Sequence, residues 1–304
     1  MRIYLTGASG FVGSNLVRVF EAHGAELVRP GHGEVDITDG ALVRRSVLAT
    51  EPDAIVHAAI WNDVAGLLSD RRRAWASYVG ATRNLVDAAN ACGARIVLIS
   101  TDWVFDGTQG PATEAEPPNP INPYGFLKAA SELVVTERAE RGTVARIAGV
   151  QGMHWARMEA PRAQDAGFGY FVASLVDALC AGRRFTVWDD PRLNTRATPT
   201  LATDAGELIW RALERDAGGI LHCCGGEHAD RVGLARKAVE AFELDAELLE
   251  TGPPDADALP PGGAPFDTRL DATETARVLD TELPDLDTML GRLRAQMETH
   301  CLTT

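Results

Sequence analysis

Tyr124 and Lys128 are the two side chains whose types and spacing point most directly to chemistry. A separation of four residues places both on the same face of a helix. A lysine close to a phenol stabilises the phenolate, so the pair predicts a lowered pKa for Tyr124. The chain has only one other lysine, Lys237, which we assign to a solvent-facing helix. The pair therefore predicts a tyrosine that donates a proton at neutral pH.

A glycine-rich turn stands between a short apolar strand and a helix at the start of the chain. Residues 6–13 read Thr-Gly-Ala-Ser-Gly-Phe-Val-Gly. In such a turn the first glycine allows a tight bend, the second lets backbone approach a pyrophosphate, and the third lets the helix pack on the strand. Together with the tyrosine, the turn predicts hydride transfer between a nicotinamide dinucleotide and a carbonyl group. The cofactor contacts predicted here are Gly7, Ser9, Gly10, Phe11, Val12 and Gly13.

The end of the second predicted strand indicates which dinucleotide binds. An acidic residue there would accept hydrogen bonds from a ribose 2′-hydroxyl, but this chain has Arg29, which can face a 2′-phosphate. Arg29 favours NADP, with NAD left open because the arginine can equally be a solvated charge. The other predicted cofactor contacts are Asp36 and Ile37 at the adenine, and Ala58, Ala59 and Ile60 at the end of the third strand.

Strand and helix patterns alternate along the first half of the chain, which predicts an α/β fold with a doubly wound, Rossmann-type parallel sheet. We predict that residues 1–150 form the NAD(P)-binding domain. Residues 151–304 are expected to form mainly a smaller C-terminal substrate lobe, with segments of about 185–224 returning to the Rossmann domain. Predicted strands cover 2–6, 25–29, 53–57, 95–100, 144–147, 185–188 and 219–223, and predicted helices cover 11–23, 39–50, 75–91, 124–141, 170–181, 203–215 and 230–242.

Composition narrows the class of partner. The formal net charge of −14 over 304 residues disfavours nucleic acid and anionic membranes. No apolar run is long enough to span a membrane, and the early first strand predicts that no signal peptide precedes it. A cytoplasmic protein is expected. The five cysteines lack metal-ligand spacing, so no metal is predicted; the adjacent Cys223 and Cys224 are either buried core residues or a redox-active pair.

Residues 100–107 read Ser-Thr-Asp-Trp-Val-Phe-Asp-Gly and follow the fourth predicted strand, at the edge where open α/β sheets bind ligands. With the N-terminal glycines and the Tyr124/Lys128 pair, this segment resembles an extended short-chain dehydrogenase/reductase. Within that superfamily the chain resembles the dTDP-4-dehydrorhamnose reductase group of sugar-nucleotide reductases. The stretches Asp-Ile-Thr-Asp at 36–39, Pro-Tyr-Gly at 123–125 and Phe-Asp-Thr-Arg-Leu-Asp at 266–271 also match that group.

The resemblance implies a role for each matching residue. Tyr124 would protonate the carbonyl oxygen, Lys128 would hold the nicotinamide ribose, and Thr101 would bind the same oxygen, with Ser100 a weaker candidate that also contacts the cofactor. The implied function is NADP(H)-dependent reduction of a keto group on a nucleotide-activated deoxysugar, of the 4-ketoreductase type. The predicted substrate contacts are Thr101, Trp103 and Tyr124, with Arg192 and Arg196 as candidates for the diphosphate.

The chain also departs from the group. Tyr78 stands where the superfamily often has asparagine, which puts a proton relay through that position in doubt, and Trp103 stands where the group commonly has tyrosine. Gly149 replaces a tryptophan near the sugar, for which Trp103 or Trp155 can substitute. Two alternatives stay open: a sugar-nucleotide epimerase, and a non-catalytic NADP-binding regulatory subunit like that of methionine adenosyltransferase. A dehydratase is disfavoured, because dehydratases usually have an acidic pair beside the catalytic threonine and here Trp103 follows Asp102. A homodimer is left open.

Overall fold

The computed structural model describes residues 1–157, 163–255, 258–260 and 262–301. Strands occupy β1 (Arg2–Thr6), β2 (Glu26–Val28), β3 (Ala54–His57), β4 (Arg95–Thr101), β5 (Gly142–Ile147), β6 (Val150–Gln151), β7 (Phe185–Trp188), β8 (Arg196–Ala197), β9 (Thr200–Leu201), β10 (Gly219–His222), β11 (Ala229–Asp230) and β12 (Leu249–Gly252). Helices occupy α1 (Phe11–Ala22), α2 (Gly40–Thr50), α3 (Val64–Ser69), α4 (Arg71–Trp75), α5 (Ala81–Cys92), α6 (Pro123–Arg138), α7 (Phe171–Cys180), α8 (Ala202–Glu214), α9 (Arg231–Ala241), α10 (Thr273–Leu279) and α11 (Leu286–Cys301).

A six-stranded parallel sheet forms the centre, in the order β10-β5-β4-β3-β1-β2. Both of its faces are covered, because the strands are apolar on both sides. One face packs on α1 and α8 through side chains such as Leu16 and Ile209. The opposite face packs on α2 and α5 through Val43, Val47 and Leu85. The predicted α/β, Rossmann-type doubly wound fold is confirmed, and it brings the carboxyl ends of β1, β3, β4 and β5 to one edge.

The helix predicted over residues 75–91 is interrupted. Residues 71–75 form α4, residues 76–80 form a π-helical turn, and α5 follows directly. A π-turn inserts extra backbone and shifts the side chains around it, which is common beside functional sites. Here the turn carries Tyr78, whose ring lies edge-on to the ring of Tyr124 with centroids 6.2 Å apart.

Helices α7, α9 and α11 form a second apolar cluster with the pair β7–β12, through residues such as Phe171, Leu234 and Leu290. Of the stretch expected to return to the central sheet, α8 packs on α1 and β10 forms the sheet edge, whereas β7 pairs with β12 outside the sheet. The division of the chain into two domains at residue 150 stays a prediction.

Candidate active site

A cavity of about 510 Å³ opens at the carboxyl edge of the central sheet. It runs past the start of α1, the end of β4 and the start of α6. It therefore joins the predicted cofactor turn to the predicted catalytic pair within one space. The predicted site residues that line it are Phe11, Val12, Ala58, Ile60, Ser100, Thr101, Trp103, Tyr124 and Lys128.

The glycine turn has the geometry that close backbone approach requires. Gly7 has φ +74°, and a Cβ there would lie 2.6 Å from the Ala59 nitrogen. A Cβ on Gly13 would lie 2.0 Å from the Gly7 carbonyl oxygen. Helix α1 begins after Gly10, and no side chain caps its first N–H groups. Because uncapped N–H groups and the helix dipole favour an anion, this twelve-residue helix fits a pyrophosphate.

The residues predicted at the adenosine end lie on the surface. The exposed Arg29 guanidinium is paired with Glu21 at 3.1 Å. An exposed pair of this kind contributes little stability, so Arg29 can exchange its partner for a phosphate. The Asp36 carboxylate accepts hydrogen bonds from the Thr38 amide and hydroxyl at 2.9 and 2.7 Å, which lowers the pKa of Asp36. The Ala59 amide faces the Thr6 hydroxyl at 3.4 Å.

Lys128 does not act on Tyr124 as predicted. The buried Lys128 Nζ donates to the Ile99 carbonyl oxygen at 2.8 Å, and burial lowers the pKa of Lys128 to about 8, against the opposing effect of Glu132. Burial likewise raises the pKa of Tyr124 to about 12, although a hydrogen bond with the Thr101 side chain lowers it. The predicted lowering of the Tyr124 pKa is wrong because desolvation, together with the charge of Asp102, outweighs the Thr101 hydrogen bond. Tyr124 is a neutral phenol at physiological pH.

The buried lysine gives a prediction for stability. Lys128 has a lower pKa in the folded chain, about 8, than in the unfolded chain, 10.5, so its ionised form destabilises the fold at neutral pH. Between these two pH values the folded chain loses the proton first, and the destabilisation decreases as the pH rises. We expect Lys128→Met to raise the free energy of unfolding at pH 7 by roughly 2 kcal/mol, after the loss of the hydrogen bond to Ile99. Urea unfolding at pH 7 and pH 10 measures it, and the advantage should shrink at the higher pH. The exposed Lys237→Met is the control, and a Lys128→Met variant less stable than wild type at pH 7 would contradict the prediction.

Thr101 and Asp102 form a hydrogen-bonded pair at the end of β4. The Thr101 hydroxyl accepts from the Trp103 amide at 3.2 Å and donates to Asp102 Oδ1 at 3.0 Å. Asp102 Oδ2 accepts from the Thr268 hydroxyl at 2.5 Å. Burial raises the pKa of Asp102 to about 6. No role in the reduction is predicted for Asp102 from the sequence, although its position directly after Thr101 is a signal.

Ser100 faces a buried charge network. Its hydroxyl donates to Glu132 Oε1 at 2.5 Å, and Glu132 Oε2 accepts from Arg146 Nη2 at 2.8 Å. The side chains of Glu132 and Arg146 are almost fully inaccessible. Ser100 lines the cavity, but its proton is committed to Glu132, as that of Thr101 is to Asp102.

Of the two candidate aromatic walls, Trp103 lines the cavity, with its ring centroid 6.2 Å from that of Tyr124. Trp155 instead packs on α1, where its Nε1 donates to Asn15 Oδ1 at 3.0 Å and its ring lies 3.9 Å from the Arg18 guanidinium. The Tyr78 hydroxyl donates to the Trp61 carbonyl oxygen at 3.1 Å. Trp103 is therefore the aromatic residue that borders the Tyr124 side of the cavity.

The two arginines predicted to bind the diphosphate lie outside the cavity lining. Arg192 is exposed and paired with Asp190 at 2.8 Å, and Arg196 lies 3.9 Å from Asp267. Neither side chain lines the cavity, so their role in binding a diphosphate stays a prediction. Lining residues that the sequence analysis missed include Asn122, Asp165 and Asn194.

Arg231 holds the wall of the cavity that contains Asp165. This buried guanidinium donates to the carbonyl oxygens of Asp165 at 2.7 Å, of Asn194 at 2.8 Å, and of Gly167. Burial lowers the pKa of Arg231 to about 10, and Asp165 opposes that effect. No local sequence pattern signals this role, because its partners lie 37 to 66 positions away.

The remaining sequence expectations concern cysteines, metals and membranes. Cys223 and Cys224 are fully buried, which confirms them as core residues. Desolvation raises the pKa of both thiols, and that of Cys223 reaches about 12. Within the described ranges no three His, Cys, Asp or Glu side chains are grouped so that they could hold a metal ion. In the same ranges, no helix combines the length and apolar character needed to cross a bilayer.

Comparison with known proteins gives the family. Residues 1–299 match the family model described as RmlD substrate binding domain. The chain is 34% identical to a dTDP-4-dehydrorhamnose reductase of Streptomyces griseus over 224 residues, which cover 73% of this chain and 69% of the relative. It is 27% identical to methionine adenosyltransferase 2 subunit beta of Rattus norvegicus over 257 residues, 82% of this chain and 74% of that one.

A solved structure shares the fold. The dTDP-4-dehydrorhamnose reductase of Bacillus anthracis in complex with NADP superposes with a TM-score of 0.79 at 22% identity, covering 97% of this chain and 99% of that chain. The resemblance inferred from the motifs is therefore confirmed over nearly the whole length. The chain belongs to the RmlD substrate-binding family.

Proposed function

We propose that this protein is an NADPH-dependent reductase of the 4-keto group of a dTDP-activated deoxysugar. The observation that carries the proposal is a single cavity that brings Tyr124, Thr101 and Lys128 beside the uncapped N-terminus of α1. A relative 34% identical is named dTDP-4-dehydrorhamnose reductase, and another, 28% identical, is named dTDP-4-keto-6-deoxy-D-glucose reductase.

The cofactor, when bound, supplies the hydride. The N–H groups of α1 would hold its pyrophosphate, and Arg29, in place of its pairing with Glu21, would hold the 2′-phosphate, which favours NADP over NAD. Lys128 is close enough to the cavity to bind ribose hydroxyls.

Tyr124 donates the proton to the carbonyl oxygen as hydride arrives at the carbon. An alkoxide is far more basic than a phenolate, since an aliphatic alcohol has a much higher pKa than a phenol. A phenol with a pKa of about 12 can therefore still protonate the oxygen. The neutral phenol is the form required for reduction, so the raised pKa does not conflict with this role.

Turnover of candidate substrates tests the proposal. We expect NADPH oxidation with dTDP-4-dehydrorhamnose or dTDP-4-keto-6-deoxy-D-glucose, and weaker oxidation of NADH. The product should retain the nucleotide and gain one hydroxyl by mass. Inactivity with both sugars, together with tight binding to a methionine adenosyltransferase catalytic subunit, would favour the regulatory alternative. A product formed without net NADPH consumption would favour an epimerase.

We also propose that the chain forms a homodimer through α6. Phe126 and Leu133 lie seven residues apart on this helix and are 56% and 62% exposed, an apolar face that a second copy can cover. We expect Leu133→Glu to shift the wild-type dimer to monomer in size-exclusion chromatography with light scattering. Arg45→Glu, exposed on α2, is the control. A wild-type protein that is monomeric at micromolar concentration would contradict this.

The compartment is proposed as the cytoplasm. Cys92, Cys180, Cys223 and Cys224 are free thiols. Free thiols, and nucleotide cofactors in the relatives, fit a reducing compartment.

A further inference from the structure

We propose that Asp102 is a positioning residue that works in its protonated form and turns the hydroxyl proton of Thr101 towards the reacting oxygen. The inference rests on the proposed function. It adds a residue that the sequence analysis did not place in the site, and it predicts how activity depends on pH.

The hydrogen bonds around the pair define which atoms carry protons. Thr268 Oγ1 accepts from Asn194 Nδ2 at 3.0 Å and lies 2.5 Å from Asp102 Oδ2, so the Thr268 proton points to Asp102. On its other side, Asp102 Oδ1 lies 3.0 Å from Thr101 Oγ1. Asp102 is 5% exposed and Thr268 1%. The carboxyl group is therefore held on both oxygens, away from bulk water.

An ionised Asp102 turns the donors away from the substrate. A carboxylate only accepts, and a threonine hydroxyl has one proton, so Thr101 must give that proton to Asp102. Thr101 is then an acceptor for the Trp103 amide and for the Tyr124 phenol. In this state neither hydroxyl offers its proton to a carbonyl oxygen in the cavity.

A protonated Asp102 reverses the direction. Its O–H donates to Thr101 Oγ1, while the other carboxyl oxygen still accepts from Thr268. Thr101 then accepts from both Asp102 and the Trp103 amide, which fills its two lone pairs and frees its proton. With Thr101 saturated as an acceptor, the Tyr124 phenol must also find another partner, and the carbonyl oxygen of a bound substrate is that partner.

The surroundings of Asp102 favour this form near pH 6. The groups that face it are the Thr101 and Thr268 hydroxyls, the backbone amides of Asp102 and Trp103, Tyr124 on α6 and the Cys224 thiol after β10. On the neighbouring segment 266–271, Asp267 and Arg269 pair with each other at 2.7 Å, and Lys128 on α6 is bound to a carbonyl of β4. Among the residues that the structure describes, no cation is hydrogen-bonded to Asp102, and burial raises its pKa to about 6.

Asp102→Asn tests the inference, because an asparagine has the hydrogen bonds of the protonated acid: its amide N–H can donate to Thr101 and its oxygen can accept from Thr268. We expect kcat/KM of the wild type, with NADPH and dTDP-4-dehydrorhamnose, to fall about tenfold per pH unit above pH 6 and up to pH 7.5. Over the same range Asp102→Asn should vary by less than about threefold. Asp106→Asn, in the same loop, should keep the wild-type profile.

Thr268→Val provides a second variant. It removes a hydrogen bond that stabilises the carboxylate, so the alkaline fall in kcat/KM should move to higher pH. If Asp102→Asn loses activity at least a hundredfold at every pH, or keeps the wild-type fall, the inference is overturned.

A measurement without turnover separates this inference from the proposed function. In protein labelled with ¹³C at aspartate carboxyls, the resonance that disappears in Asp102→Asn should titrate near pH 6 in the wild type and at higher pH in Thr268→Val. A resonance still fully ionised at pH 5 would overturn the inference. Absence of turnover with every sugar would overturn the proposed function alone, since the titration would still report the state of Asp102.

Discussion

Tyr124→Phe is expected to lower kcat by about 10³-fold while leaving NADPH binding within about twofold of wild type. The phenol ring packs edge-on against Tyr78 and Trp103, and phenylalanine keeps both of these contacts. What the variant loses is the hydroxyl, which interacts with Thr101 and is buried at the cavity. Cofactor affinity is measured by NADPH fluorescence titration, and kcat by NADPH oxidation with the dTDP-sugar on which the wild type is active.

Two controls locate the effect. Tyr78→Phe removes a hydroxyl that donates to the Trp61 carbonyl oxygen and should cost far less activity. Thr101→Val should fall between the two, because it removes the partner of the phenol but not the proton donor. Turnover of Tyr124→Phe within tenfold of wild type would eliminate Tyr124 as the acid.

Glu132→Gln is expected to lower the free energy of unfolding by about 3–5 kcal/mol, the largest stability effect that we anticipate from a single substitution. Glu132 holds the guanidinium of Arg146 with three hydrogen bonds, at 2.8, 3.0 and 3.3 Å. The Arg146 side chain is fully inaccessible, so it cannot recover hydration when the carboxylate is neutralised. Its other neighbour of note is His222, at 3.4 Å. Urea unfolding at pH 7 measures the loss.

An exposed ion pair offers the matched comparison. Asp87→Asn breaks the pair with Arg138, also 2.8 Å long but half exposed, and should cost less than about 1 kcal/mol. Replacing both partners, Glu132→Leu with Arg146→Met, should recover part of the loss because no buried charge remains unpaired. If Glu132→Gln lowers the free energy of unfolding no more than Asp87→Asn does, the buried pair contributes no more stability than an exposed one, and the prediction is contradicted.

The same pair explains why Lys128 and Glu132 have different consequences. Both lie on the buried face of α6, one helical turn apart. Glu132 is paired with the cation of Arg146. Lys128 has a carbonyl oxygen as its hydrogen-bond partner, and burial lowers its pKa below the ordinary value. Substituting the matched charge should therefore destabilise the fold, and substituting the unmatched charge should stabilise it.

Local patterns were sufficient for much of this protein. The period of apolar residues located the strands and helices of the central sheet to within a few residues, because burial on one or both faces imposes that period. The turn at residues 7–13 could be predicted because steric contacts within the turn, and with the residues that follow β3, require glycine at these positions. Tyr124 and Thr101 were readable because they follow strand ends and helix starts that must meet at one sheet edge.

Directions and charge states depended on long-range packing. Lys128 was expected beside the Tyr124 hydroxyl, but its Nζ donates a hydrogen bond to the Ile99 carbonyl oxygen of β4. Asp102 owes its raised pKa to burial, and one of its two side-chain hydrogen-bond partners, Thr268, is 166 residues away in sequence. Residue spacing places groups on a helix face, but a pKa depends on how much water the remaining chain excludes, and distant segments supply that cover. The sequence alone therefore identifies the reactive groups, while the folded structure determines their protonation states.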